Sequence, residues 1–142
     1  MRLRSVGEMA LLAEDFVSGR ESQERAVVIG LRGDLGSGKT TFVQCVAEAL
    51  GIEEPVTSPT FVIQKTYRLE GQTFKRLVHI DAYRIQSANE MPALRWEETV
   101  SDPSNIVFIE WPENIEGALP EDAIMINFTY VDENTRNIVF RE

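Results

Sequence analysis

Gly33 to Thr40 reads GDLGSGKT, in which three glycines precede a lysine and a hydroxyl residue. This G-x-x-x-x-G-K-T spacing is that of a phosphate-binding loop. Glycines let the backbone curve into a ring of inward N–H groups at a helix N-terminus, which attracts anions. Lys39 would add a point charge for the β- and γ-phosphates, and the Thr40 hydroxyl could bind Mg²⁺. The spacing therefore predicts a nucleoside triphosphate site.

The predicted nucleotide contacts are the residues of the loop and of the helical turn that follows it. No N/T-K-x-D motif for guanine recognition occurs in the sequence, so adenine is favoured, and we expect ATP or ADP with Mg²⁺. The loop contacts are Gly33, Asp34, Leu35, Gly36, Ser37, Gly38, Lys39, Thr40 and Thr41.

Two carboxylates end apolar stretches elsewhere in the chain. LVHID ends in Asp81, and IVFIE ends in Glu110. Ligands bind at the carboxyl ends of strands in open α/β folds, so both acids would lie beside the phosphates if their strands neighbour the loop strand. We assign Asp81 to the metal, reached through water, and Glu110 to orienting or deprotonating the attacking water. The two roles could be exchanged, and both residues are catalytic and metal-site candidates.

Four further residues have a functional and a purely structural interpretation. Thr60, in the turn SPTF, could reach the metal from a switch-like loop or serve as a local hydrogen-bonding residue. Arg84 could stabilise γ-phosphate charge, grip a partner or form an ordinary ion pair. His79 is interpreted as a core or edge histidine and not as a base. Trp111 is either a lid near the nucleotide or a packing residue at the sheet edge.

The predicted elements place these residues on an α/β fold. SVGE, from Ser5 to Glu8, predicts a capping box and a helix to about Val17. AVVIGL predicts a buried strand before the loop, and an amphipathic pattern after it predicts a helix ending at Gly51. The fold class is three-layer and P-loop NTPase-like, with a mostly parallel central sheet, added antiparallel strands and one domain over residues 1–142.

The later segments predict the remaining strands and one irregular helix. TSPTFVIQKTYRL, TFKRLVHID and NIVFIEW each predict a strand, and AIMINFTYV with RNIVF predicts a closing antiparallel pair. Residues 87–100 predict a helix in which Pro92 lies in the first turn or divides it.

Charge and composition restrict the partners and the compartment. The formal net charge of −9 argues against binding a phosphate backbone without help, since such binding relies on clustered Lys and Arg. Cys45 is the single cysteine, which excludes an internal disulfide and predicts a small buried hydrophobe. The sequence shows neither a secretion signal nor a membrane-spanning stretch, so we expect a cytoplasmic location and no membrane partner.

GDLGSGKTTF, SPTF, HIDAYR and IEWPE, in this order, resemble the TsaE family (formerly YjeE) over nearly the entire chain. This family comprises bacterial P-loop ATPases of tRNA threonylcarbamoyladenosine synthesis. The resemblance implies a complex with TsaD and TsaB, which modify adenosine 37 of tRNAs reading codons that begin with A. It also implies that ATP hydrolysis supports repeated turnover and that tRNA is contacted only through the complex.

The resemblance also implies roles for individual residues. It assigns Lys39 and Thr40 to the phosphates and Mg²⁺, Asp81 to the metal, Glu110 to catalysis, and Thr60 to the switch-like loop. Trp111 matches the tryptophan that follows the catalytic acid.

Two positions depart from the family pattern, and two other functional classes remain open. Gln44 stands where a basic residue is common, and Arg95 stands where glycine is frequent, which leaves the details of partner docking in doubt. The alternatives to an ATPase subunit are a nucleotide-dependent binding module without useful turnover and a small-molecule kinase.

Overall fold

The computed structural model of the chain describes residues 1–57 and 63–141. Thr60 and the whole SPTF turn, residues 58–61, lie outside the described residues, so the role predicted for Thr60 stays a prediction. The described part contains seven strands and three α-helices. Their bounds are β1 Arg2–Leu3, α1 Val6–Ser18, β2 Val27–Arg32, α2 Lys39–Ala49, β3 Gln64–Arg68, β4 Arg76–Asp81, α3 Trp96–Ser101, β5 Asn105–Glu110, β6 Ile124–Asp132 and β7 Thr135–Arg141.

The strands form one sheet in the order β1-β7-β6-β2-β5-β4-β3. The four central strands β6, β2, β5 and β4 are parallel, whereas β1, β7 and β3 join antiparallel at the two sides. Helices α1 and α2 cover one face, and α3 with two 3₁₀ segments covers the other. The structure thus confirms the predicted α/β class with a mostly parallel centre and antiparallel additions.

Helix α2 fixes the phosphate loop against the sheet. Its buried side chains include Phe42, Val43 and Val46, and the Phe42 ring lies 6.3 Å from that of Phe108 on β5 and 5.7 Å from that of Phe128 on β6. Burying side chains of this size contributes about 1.5–3 kcal/mol each. The first turn of α2 is therefore held firmly over the ends of β2 and β5.

Cys45, on the same helix, behaves as predicted for a small buried hydrophobe. Its side chain lies in the core between the helices and the sheet. Burial raises the pKa of the Cys45 thiol, and the charge of Glu48 adds to the shift. A raised thiol pKa disfavours the reactive thiolate.

The start of α1 is capped nearly as the sequence predicts. The Ser5 hydroxyl accepts a hydrogen bond from the Glu8 amide at 3.1 Å. The Glu8 carboxylate accepts from the amide of Arg4, one residue earlier than a capping box requires. The helix begins at Val6 as expected, although the reciprocal bond is shifted by one residue.

The segment predicted as one helix over residues 87–100 is divided. A 3₁₀ segment, Ala88–Leu94, contains Pro92, and α3 follows it. Arg95 separates them with φ 57°, a left-handed conformation that costs a residue with a Cβ. This backbone explains why glycine suits the position.

Two features near the ends of the chain complete the description. The two-residue strand β1 pairs with β7 and is too short to leave a periodic signal in the sequence. No α-helix in the described ranges is long and apolar enough to cross a membrane.

We predict that Arg95→Gly stabilises the protein. Glycine removes left-handed strain, which outweighs its greater entropy in the unfolded chain, so the free energy of unfolding should rise by about 0.5–1 kcal/mol. The lost ion pair with Glu98, 3.8 Å long between exposed side chains, contributes little. Urea denaturation measures the change.

Arg95→Ala is the matched control, because it removes the guanidinium and keeps the Cβ. An Arg95→Gly variant no more stable than Arg95→Ala would contradict the assignment of strain to this position.

Candidate functional site

The glycine loop connects the end of β2 to the start of α2, as the sequence predicts, and its glycines have positive φ. Gly33 has φ 152° and Gly36 has φ 80°. A Cβ at Gly33 would lie 2.6 Å from the carbonyl oxygen of Phe128, which is backbone and cannot yield. Gly36 has open space around it, so only its backbone conformation favours glycine there. The two glycines are thus needed for different reasons.

A cavity of about 350 Å³ opens beside this loop. It brings together most of the predicted site residues from the loop, α2 and the ends of β4 and β5. Asp34, Ser37 and Gly33 belong to the loop but do not line the cavity, and the Ser37 hydroxyl is buried without a partner among the described residues. The predicted residues that line it are Leu35, Gly36, Gly38, Lys39, Thr40, Thr41, Asp81, Arg84, Glu110 and Trp111.

Glu110 ends β5 and is held between two side chains. The Thr40 hydroxyl lies 2.9 Å from Glu110 Oε1 and 3.0 Å from Oε2, and donates to the carboxylate. His79 Nε2 lies 2.6 Å from Glu110 Oε2. Glu110 is only 4% exposed, so its charge depends on these partners in place of water.

Asp81 ends β4 and lies one strand further from the loop. Leu31 of β2 pairs with Glu110 of β5, and Glu110 pairs with Asp81 of β4. Asp81 is half-buried, lines the cavity, and accepts a hydrogen bond from the Tyr83 amide at 3.0 Å. Both acids therefore reach the same edge of the sheet, as predicted, with Glu110 on the strand next to β2.

Lys39 is nearly buried and has two contacts in the site. Its ammonium donates to the carbonyl oxygen of Gly33 and lies 3.6 Å from the centroid of the Trp111 ring. Burial lowers the pKa of Lys39, and the nearby charges of Glu110 and Glu113 oppose this shift in part. The ammonium thus lies where loop, aromatic ring and acids converge.

Trp111 owes its position to an unusual backbone. It has φ 60° directly after Glu110, and its amide donates to the carbonyl oxygen of Leu31 at 3.3 Å. The indole ring lies 5.1 Å from that of Tyr83 and lines the cavity. A left-handed tryptophan costs free energy, which is typical of functional sites. The side chain thus lies beside the loop at the cavity and also packs against the core on the α3 side of the sheet, so both interpretations of Trp111 stay open.

Sequence reasoning undervalued His79. It was interpreted as a core or edge histidine, and it is wholly buried, but it also contacts the candidate catalytic acid. The signal available was the spacing in HID, since residues two apart on a strand share a face. His79 and Asp81 therefore both face the layer that contains α2.

Arg84 and Gln44 are the two remaining positions that the sequence singled out. Arg84 is exposed at the cavity, and no described carboxylate lies within ion-pair distance of it. Gln44 donates through Nε2 to the carbonyl oxygen of Val56 at 2.7 Å, which fixes the chain just before residues 58–62.

A second cavity of about 110 Å³ adjoins the first. It is formed by the start of α1, β1 and the β6–β7 turn. Gly38, Thr41 and Arg136 line both cavities, so the two adjoin at the first turn of α2.

The amino-acid sequence matches a known protein family. Residues 3–138 match the family of threonylcarbamoyl adenosine biosynthesis protein TsaE. The tRNA threonylcarbamoyladenosine biosynthesis protein TsaE of Haemophilus influenzae is 36% identical over 115 residues, covering 81% of this chain and 70% of that protein. The protein of the same name in Aquifex aeolicus is 35% identical over 138 residues, covering 96% and 90%.

A solved structure agrees with the sequence comparisons. The crystal structure of Bacillus subtilis YdiB superimposes with a TM-score of 0.73 at 28% identity, covering 99% of this chain and 82% of that one. Since the family match spans nearly the whole chain and its relatives match at 36% and 35% identity, the chain belongs to the TsaE family.

Proposed function

We propose that this protein binds ATP with Mg²⁺ and hydrolyses it slowly, as a subunit of the machinery that forms threonylcarbamoyladenosine in tRNA. The observation that carries the proposal is the hydrogen bond from Thr40 to Glu110. It lies beside a loop in which Gly33 and Gly36 have positive φ, a conformation that favours glycine. A loop of this kind offers amides and a helix N-terminus to phosphates. The names of the TsaE relatives supply the biosynthetic process.

The donor set fits Mg²⁺ held jointly with a nucleotide. No group of three or more His, Cys, Asp or Glu that could hold a metal occurs within residues 1–57 and 63–141. Mg²⁺ needs no such cage, because it is usually bound by one or two carboxylates together with substrate phosphates. The Thr40 hydroxyl and the Glu110 and Asp81 carboxylates are hard oxygen donors of the right type. Bound there, Mg²⁺ would neutralise charge on the phosphates.

The geometry supports exchanging the two roles first assigned to the carboxylates. Glu110 lies on the strand next to the loop strand and accepts from Thr40, the residue expected at the metal. Asp81 lies one strand further away and is less buried. We therefore assign Thr40 and Glu110 to the metal and Asp81 to orienting the water, while Lys39 binds the phosphates.

The adjoining cavity lies where a bound nucleotide could extend beyond its phosphates. It begins at Gly38 and Thr41, beside the amides that would hold the phosphates, and is lined partly by apolar side chains of Leu3, Val6 and Met9. Apolar walls with a few polar groups suit a nucleoside. The position of this cavity beside the loop is consistent with a nucleotide in place of free phosphate.

TsaD and TsaB homologues are the proposed partners, and tRNA is the proposed indirect one. The net charge of −9 disfavours direct binding to tRNA, so contact through partners is consistent with the composition. The alternatives, a binding module without useful turnover and a small-molecule kinase, predict different outcomes in the experiments on turnover.

Mg-ADP should change the intrinsic fluorescence through Trp111. The ring lies over Lys39 and lines the cavity, so phosphates that attract the ammonium alter its surroundings. Trp111→Phe should abolish the change. Trp96→Phe is the matched control, because Trp96, the other tryptophan, is buried in the core, does not line the cavity and donates to the carbonyl oxygen of Ala118. Loss of the change in Trp96→Phe alone would contradict this site.

The isolated chain should hydrolyse ATP at about 10⁻⁴ to 10⁻² s⁻¹, the range of P-loop enzymes without a partner's arginine. Arg84 is exposed, and Arg136 donates to the carbonyl oxygens of Asp132 and Thr135. No carboxylate among the described residues forms an ion pair that would hold Arg84 or Arg136 towards the loop. TsaD and TsaB should raise the rate in a phosphate-release assay. Turnover at tens per second by the pure chain would refute this expectation.

Three substitutions separate phosphate binding, metal binding and hydrolysis. Lys39→Ala should weaken ADP binding even in EDTA, because the ammonium contacts the phosphates. Glu110→Gln should bind ADP normally in EDTA, lose the additional affinity that Mg²⁺ provides, and hydrolyse ATP at least about 100-fold more slowly. Asp81→Asn should keep the Mg²⁺ effect and lose hydrolysis. Calorimetric ADP titrations with and without Mg²⁺, beside ATPase assays, measure all three.

The same variants decide between the assignments. A Glu110→Gln variant that keeps the Mg²⁺ effect, beside an Asp81→Asn variant that loses it, would restore the original roles. Unimpaired repeated tRNA modification by Glu110→Gln and by Asp81→Asn with TsaD and TsaB would favour a binding module.

A further inference from the structure

His79 is buried against the most important acid of the site. Its side chain has no exposed surface, and Nε2 lies 2.6 Å from Glu110 Oε2. Two residues later on the same strand, Asp81 reaches the cavity, whereas His79 lies deeper, behind Glu110. An imidazole in this position does not face the cavity, which it does not line. It can act only through the carboxylate.

The hydrogen bonds determine which ring nitrogen of His79 carries a proton. An ionised carboxylate can only accept hydrogen bonds, so Nε2 is the donor when Glu110 carries its charge. His79 Nδ1 is buried without a hydrogen-bond partner among the described residues. An unpartnered acceptor there costs less than an unpartnered charged donor. The contact with Glu110 therefore places a proton on Nε2, and Nδ1 has no described partner that needs one.

The contact restricts how the Glu110 carboxylate can turn. Thr40 approaches both oxygens from the loop, and His79 holds Oε2 from behind. Without His79, the nearby ammonium of Lys39 is the alternative donor, since the charge of Glu110 already acts on Lys39. Such a pairing would turn the carboxylate away from Thr40 and occupy the cation needed for phosphates.

We propose that His79 is a positioning residue, whose Nε2–H fixes the Glu110 carboxylate towards Thr40 and keeps it from Lys39. The inference rests on the proposed Mg-nucleotide function. It belongs to a general pattern in which partners behind a metal's ligands orient them, and their loss typically costs about 10- to 100-fold in metal affinity or activity.

Two amide substitutions test the position of the donor. The Nε2 of glutamine can reach the place of His79 Nε2, whereas asparagine places its amide near Nδ1, which faces no described partner. His79→Gln should therefore keep the Mg²⁺-dependent gain in ADP affinity within a few-fold. His79→Asn should require about 10- to 100-fold more Mg²⁺ for the same gain, and it should also weaken ADP binding in EDTA, because Glu110 then pairs with Lys39.

One double variant and the comparison of the two single variants test the proposal. In a Glu110→Gln background, His79→Asn should have no further effect on the Mg²⁺ dependence. Equal behaviour of His79→Gln and His79→Asn in the single variants, whether both resemble the wild type or both are impaired, would overturn the positioning role.

A measurement on the unmodified chain does not depend on any variant folding. His79 is the only histidine in the sequence, so ¹⁵N-histidine labelling gives one imidazole signal. Long-range ¹H–¹⁵N spectra should show a protonated Nε2 and an unprotonated Nδ1. The opposite tautomer would overturn the proposal. A wild type that binds no nucleotide would refute the proposed function alone, and the tautomer would still decide whether His79 donates to Glu110.

Discussion

The hydrogen bonds from Thr40 to Glu110 join the first turn of α2 to the end of β5, and the rest of the site is arranged around them. A carboxylate buried to this extent is stable only with donors beside it. Thr40 and His79 supply those donors from opposite sides. The same contacts therefore offset the cost of the buried charge and aim the acid at the loop.

The order of the strands makes this contact possible. Strand β5 lies between β2 and β4, so Leu31, Glu110 and Asp81 form one row across the parallel centre of the sheet. Beyond Glu110 the chain turns through the left-handed Trp111, which lies over Lys39. The phosphate loop follows the strand at one end of this row, and Asp81, the second acid, forms the other end.

Much of this arrangement was predictable because its signals are local. The loop spacing, the apolar strands and the acids that end them locate the site, and the α/β class follows from their order. The spacing in HID places His79 on the same face as Asp81, but the contact of His79 with Glu110 also requires β4 and β5 to be neighbours, which the local pattern does not give. Likewise, no glycine marks the left-handed position of Arg95 that divides residues 87–100, and β1 is defined only by its pairing with β7.

The central claim is that Thr40 and Glu110 hold the metal of a bound nucleotide. Crystals of the protein grown with ADP and Mn²⁺, as a substitute for Mg²⁺, test it through the anomalous scattering of manganese. The account predicts one strong peak beside the Thr40 hydroxyl and the Glu110 carboxylate, next to the β-phosphate of ADP. Bound ADP with the manganese peak at Asp81 and none at Glu110 would contradict it.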